Sequence, residues 1–109
     1  MTLPVARVSM PAEAKRGEVV EIKALIRHPM ETGYRLDAMG RRIPRHIVQA
    51  FHVTYAGEEV FRMELTQGVS ANPFFAFSTV ATVTGDLDFT WEDDRGEVTT
   101  VTRRLTVIE

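Results

Sequence analysis

The stretch GEVVEIKALIRH, Gly17–His28, decides the fold. Val20, Ile22, Ala24 and Ile26 fall on one face, and Glu21, Lys23 and Arg27 on the other. A period of two with an apolar and a charged side marks a strand that lays one face on a core. The same period returns downstream. HIVQAFHVTY (46–55) sets Ile47, Phe51, Val53 and Tyr55 on one face. AGEE then turns the chain, and VFRMEL (60–65) returns with Phe61, Met63 and Leu65 on one side, a hairpin pattern. NPFFAFSTVAT (72–82) is rich in aromatics. In GDLDFTWEDDRGE (85–97), Leu87, Phe89 and Trp91 alternate with Asp86, Asp88 and Thr90 before DDRG turns. The last stretch, VTTVTRRLTVI (98–108), carries Val101, Leu105 and Val107, and a short strand is expected at Ala6–Met10. Helical periodicity is absent and β-branched residues dominate the final third. About seven short strands in this length predict an all-β fold, an immunoglobulin-like antiparallel β-sandwich, with an open barrel as the alternative.

The bulk numbers bound what such a sandwich could do. The chain has 109 residues, enough for one domain, so residues 1–109 are expected to form a single unit. Hydrophobic residues make up 44% and charged residues 26%, an ordinary globular mix. A net charge of -2 argues against a general nucleic-acid binder. There is no cysteine, which removes a thiol nucleophile, a Cys-based metal site and any disulfide. MTLPVARVSMP lacks the cationic start and apolar core of a signal peptide, and no 18-residue apolar run exists. Neither a membrane span nor export is expected from the residues alone.

Between the second and third alternating stretches lies HPMETGYRLDAMGRRIPR, His28–Arg45, a long unpatterned insert for a small domain. Arg35, Arg41, Arg42 and Arg45 face only Glu31 and Asp37 as nearby anions, and Met30, Tyr34, Met39 and Ile43 lie among them. Arginine, tyrosine and methionine together characterise protein interface cores. The alternative is a loop folded over the end of its own sandwich. His28, His46 and His52 lie near this insert, and two of them with Glu31 would make a metal set. On a regular strand, however, His46 and His52 stand roughly 20 Å apart. No metal and no cofactor are expected. Asp86, Asp88, Glu92, Asp93, Asp94 and Glu97 do not follow calcium-loop spacing and read as a solvated edge with turn chemistry at 93–96. Ser9, Ser70 and Ser78 sit in no nucleophile elbow, and no phosphate loop occurs. A binding domain is expected, with no catalytic residue.

IRHPMETGYR, IPRHIVQAFHVTYAGEEVF, ANPFFAF and FTWEDDRGE, in that order and spacing, resemble the SoxZ family of the bacterial sulfur-oxidation (Sox) system across about Arg7–Ile108. The resemblance implies an immunoglobulin-like sandwich that pairs with SoxY as the sulfur carrier SoxYZ. In that pairing the partner's C-terminal, glycine-flanked cysteine carries sulfur intermediates during thiosulfate oxidation. It implies a non-catalytic subunit, a heterodimer that could double into a heterotetramer, and transient contact with periplasmic Sox enzymes. It also implies a periplasmic location, reached by co-export with a signal-bearing partner. The family segments are His28, Pro29, Met30, Glu31, Thr32 and Gly33, then Asn72 and Pro73. The expected partner contacts are Tyr34, Met39, Ile43 and Pro44 as apolar anchors, with Arg41, Arg42 and Arg45 at the rim. The competing class is a stand-alone metal-redox sandwich resembling superoxide reductase. Such proteins need a cysteine ligand on iron, and this chain has none.

Overall fold

Eight strands account for the alternating stretches in the computed structural model, which describes residues 6–109. They are β1 (Ala6–Ser9), β2 (Glu13–Lys15), β3 (Val19–Ile26), β4 (Val48–Tyr55), β5 (Glu58–Glu64), β6 (Phe74–Val80), β7 (Gly85–Asp93) and β8 (Val98–Ile108). A three-stranded sheet, β1-β3-β6, lies against a five-stranded sheet, β2-β8-β7-β4-β5. No helix occurs among the described residues. The leader-peptide reading of Met1–Pro11 falls in part on residues 1–5, outside the described residues.

Two features depart from the expectation of about seven antiparallel strands. β2 adds an eighth strand, three residues long and too short to show a period. It pairs parallel with β8, Ala14 opposite Val107, while every other pairing is antiparallel.

The core follows the period-two reading closely in β3 and β7. Val20, Ile22, Ala24 and Ile26 are buried from one sheet, and Leu87, Phe89 and Trp91 from the other. In β4 a shift of register against β7 between Val48 and Ala50 breaks the alternation. A bulge of this kind lets neighbouring residues point the same way. Val48, Ala50 and Phe51 are therefore all buried. β5 departs further. It is an edge strand paired only with β4, and Met63, expected inward, is exposed.

Aromatic rings join the two sheets. Phe75 of β6 stacks on Phe51 of β4 at 4.8 Å, and Phe77 of β6 stacks on Phe61 of β5 at 4.4 Å. Trp91 packs on Phe51 from the neighbouring strand, centroids 4.8 Å apart. Offset or tilted ring pairs contribute beyond the area they bury. At the opposite end of the sandwich, the Tyr55 hydroxyl accepts the Thr82 and Val83 amide protons and donates to the Val83 carbonyl. This ties the β6–β7 turn to β4.

Truncating Phe51 to Ala removes the ring that touches Trp91, Phe61 and Phe75. In urea denaturation the variant is expected to lose about 3–5 kcal/mol of stability. Phe74, on the outward face of β6 and 59% exposed, is the control. Phe74→Ala is expected to change stability by no more than about 0.5 kcal/mol.

Candidate functional site

The chain between β3 and β4 leaves the sandwich at Arg27 and returns at Ile47. It is not an unstructured loop. Glu31 and His46 form a two-bond antiparallel bridge, with N–H···O distances of 2.8 and 2.9 Å. Further out, the Ile43 amide donates to the Arg35 carbonyl at 2.9 Å and the Asp37 amide to the Arg41 carbonyl at 2.7 Å. The excursion is thus a ragged hairpin. Its tip is set by Asp37, whose carboxylate accepts the Met39 and Arg41 amides, and by Gly40 at φ +77. An acidic residue bonding the backbone two residues on is a familiar turn device.

Three anchors hold the base of this hairpin. Met30 is 4% exposed, inserts into the core at φ +52, and its sulfur accepts the Val48 amide at 3.3 Å. Asn72, also left-handed at φ +54, stitches the turn before β6 to His28. Its Oδ1 accepts the His28 amide at 2.9 Å, and its own amide donates to the His28 carbonyl at 2.8 Å. Pro73 is buried beside it. Gly33, at φ +87, passes so close to Arg45 that an added Cβ would lie 3.1 Å from the Arg45 Cβ. The family segments His28–Gly33 and Asn72–Pro73 therefore meet in space, as the two sides of one hinge point. Pro29 stays exposed, and Thr32 caps the turn by accepting the Tyr34 amide at 3.1 Å.

The third anchor is Asp93, buried at the end of β7. Its Oδ1 accepts the Arg95 and Glu97 amides at 2.9 and 2.8 Å, closing the β7–β8 turn. Its Oδ2 lies 3.0 Å from His46 Nε2, and that nitrogen lies 3.3 Å from His28 Nε2. Burial alone would raise the Asp93 carboxyl, but the bonds from His46 and the two amides outweigh it and hold it below the usual carboxylate range. His28 is pushed below the ordinary histidine value by burial and by His46. The sequence reading of 93–96 as turn chemistry holds, yet it misses that Asp93 is buried and reaches back 47 residues to His46. The separation argued for His46 and His52 also misses the closer partner. His46 lies before β4 begins, and it faces His28 rather than His52.

Of the residues expected to meet a partner, Tyr34, Met39, Arg41, Arg42, Ile43 and Pro44 lie on the outer part of the hairpin, and Arg45 lies at its base. Tyr34 and Met39 are 73% and 77% exposed, joined by Leu36, which the sequence reading did not single out. Pro44 is exposed and Ile43 half-buried. The arginines divide. Arg45 pairs with Asp94 at 3.1 Å and Arg41 with Asp37 at 3.5 Å, whereas Arg42 has no ion-pair partner among the described residues. Arg35 forms a two-bond pair with Glu31. The tip thus presents apolar side chains and one uncommitted guanidinium on a braced support.

Comparison with known proteins follows the same outline. A family model described as "Sulphur oxidation protein SoxZ" matches residues 7–104. No curated protein matches the chain in sequence. Among solved structures, a point variant of the superoxide reductase (neelaredoxin) from Ignicoccus hospitalis superposes with a TM-score of 0.74 at 12% identity, covering 95% of this chain and 80% of that one. A putative superoxide reductase from Thermotoga maritima gives 0.73 at 17% identity, covering 95% and 86%. The sulfur carrier protein SoxY from Chlorobium limicola f thiosulfatophilum gives 0.68 at 13% identity, covering 96% and 80%. At these identities the likeness is one of fold, and it agrees with the sandwich described above.

The hinge geometry makes a stability prediction. Gly33→Ala forces a side chain into left-handed backbone against Arg45. It is expected to cost about 1–2 kcal/mol in urea denaturation, from the backbone alone.

Proposed function

The chain belongs to the SoxZ family of sulphur oxidation proteins, and from that premise we propose that it is the non-catalytic subunit of a SoxYZ-like sulfur-carrier heterodimer. The match over residues 7–104 carries this reading. Its partner is a SoxY-like subunit whose C-terminal cysteine bears the sulfur intermediates of thiosulfate oxidation. The division of labour is supported by composition: 109 residues without a cysteine offer no thiol to load. A carrier arm that visits several enzymes needs mobility at its tip and rigidity at its root. The aromatic seam and the triply anchored hairpin supply such a root. The complex works in the periplasm, exported together with the signal-bearing partner, and the Sox enzymes meet it there transiently.

The partner face is the outer hairpin. Tyr34, Met39, Ile43 and Pro44 supply apolar anchors, with Leu36 beside them, and Arg42 the charged contact free to pair across the interface. Arg41 and Arg45, already paired internally, shape the rim. Exposed aromatic and thioether side chains gathered on a rigid projection are the composition expected where another protein docks.

Co-expression with a cysteine-bearing, glycine-tailed partner is expected to give one species on size exclusion at micromolar concentration. Separate elution of the two chains contradicts the reading. Arg42→Glu and Ile43→Asp are each expected to weaken association about tenfold or more, as loss of a central interface contact does. Both should leave the circular dichroism of the isolated chain unchanged. Unaltered affinity in both variants places the partner on another face.

A further inference from the structure

Where the excursion leaves and rejoins the sandwich, His28, His46 and Asp93 offer ligand atoms that all lie within 4.8 Å of one another. We propose that these three side chains bind one divalent transition-metal ion of the zinc class, through His28 Nε2, His46 Nε2 and Asp93 Oδ2. This site is separate from the partner face and does not depend on the partner's identity.

The distances carry the proposal. Two ligand atoms each about 2.1 Å from a common ion stand roughly 3.0–3.4 Å apart at tetrahedral or octahedral angles. Two of the three pairs, 3.3 Å between the imidazole nitrogens and 3.0 Å between His46 and Asp93, fall in that range, and all three ligand atoms lie within 4.8 Å of one another. Two imidazoles and a carboxylate also form a donor set that suits zinc and its first-row neighbours. The rigid base holds them there: His28 by Asn72, His46 by its bridge to Glu31, and Asp93 by the amides of its own turn.

Proton bookkeeping points the same way. The Met30 amide donates to His28 Nδ1 at 3.1 Å, so the neutral ring carries its proton on Nε2. His46 Nε2 must also carry a proton to donate to Asp93. Two N–H groups then confront each other across 3.3 Å. A cation at their meeting point turns both nitrogens into lone-pair donors and removes the conflict at Nε2, in exchange for the Met30 amide bond at Nδ1. The His28 proton then moves to Nδ1, and the Met30 amide gives up its bond there. His28 and Asp93 also line a cleft of about 90 Å³ with Trp91, whose buried indole N–H has no acceptor among the described residues. Three protein ligands leave a coordination position for an oxygen, and the indole N–H is suited to bond one.

The test uses the full chain, stripped with chelator and titrated with zinc chloride. It combines equilibrium dialysis with nitrogen-15 NMR of the histidine rings and of the Met30 amide. One zinc per chain is expected, with the His28 and His46 ring nitrogens and the Met30 amide shifting together and His52 unmoved. His46→Gln is expected to weaken binding about tenfold or more, while His52→Gln leaves it unchanged. The proposal is overturned by a lack of saturable one-to-one binding, by His46→Gln binding as tightly as the parent, or by ring shifts confined to His52. Should His46→Gln not fold, the ring and amide shifts of the parent chain decide.

Discussion

The contact between Asp93 and His46 is the constraint on which the rest of this molecule depends. One carboxylate closes the β7–β8 turn through two amides and grips the returning leg of the β3–β4 excursion. Without it the excursion would keep Met30 on Val48, the Glu31–His46 bridge and the Arg45–Asp94 pair, but lose the buried side-chain link from His46 to the end of β7. The β7–β8 turn would lose its internal cap. A buried carboxylate is costly unless each of its oxygens finds a donor. Asp93 meets that condition with two backbone amides and an imidazole, and so is a fastening rather than a burden.

That fastening explains how a long insert can be rigid in a small domain. The eighteen residues His28–Arg45 would ordinarily cost ordering entropy with little burial in return. Here the base is held by a buried thioether, a buried carboxylate and an asparagine across from His28, and the outer part by backbone bonds across a ragged hairpin. Hydrophobic side chains left at the tip are consequently displayed from a hydrogen-bonded backbone. For a protein proposed to root another subunit's mobile arm, a braced backbone is the physically relevant property, because an interface formed on a preorganised backbone loses less entropy on association.

Much of the fold was legible in the residues. Strict alternation in Val20–Ile26 and in Leu87–Trp91 specifies strands whose inward faces match those observed. Other parts were not legible, for definite reasons. Three residues of β2 cannot display a period. The bulge in β4 puts Val48 and Ala50 inside against the alternation. Met63 follows the inward pattern but sits on an edge strand with too little above it. The hairpin is built from backbone bonds and one Asx turn, neither of which leaves a hydrophobic rhythm. The neighbours His28, His46 and Asp93 come from three separate segments, and only the pairing of β4 with β7 brings the last of them beside the first two.

The outer hairpin of this SoxZ-family chain is the face proposed to meet a SoxY-like partner. Hydrogen–deuterium exchange of the chain with and without a SoxY-like partner tests it most directly. The account predicts new protection of the amides across 34–45, with β6 from Phe74 to Val80 unchanged. Protection confined to β6, or to the β1 edge, with the hairpin exchanging as before, would contradict it.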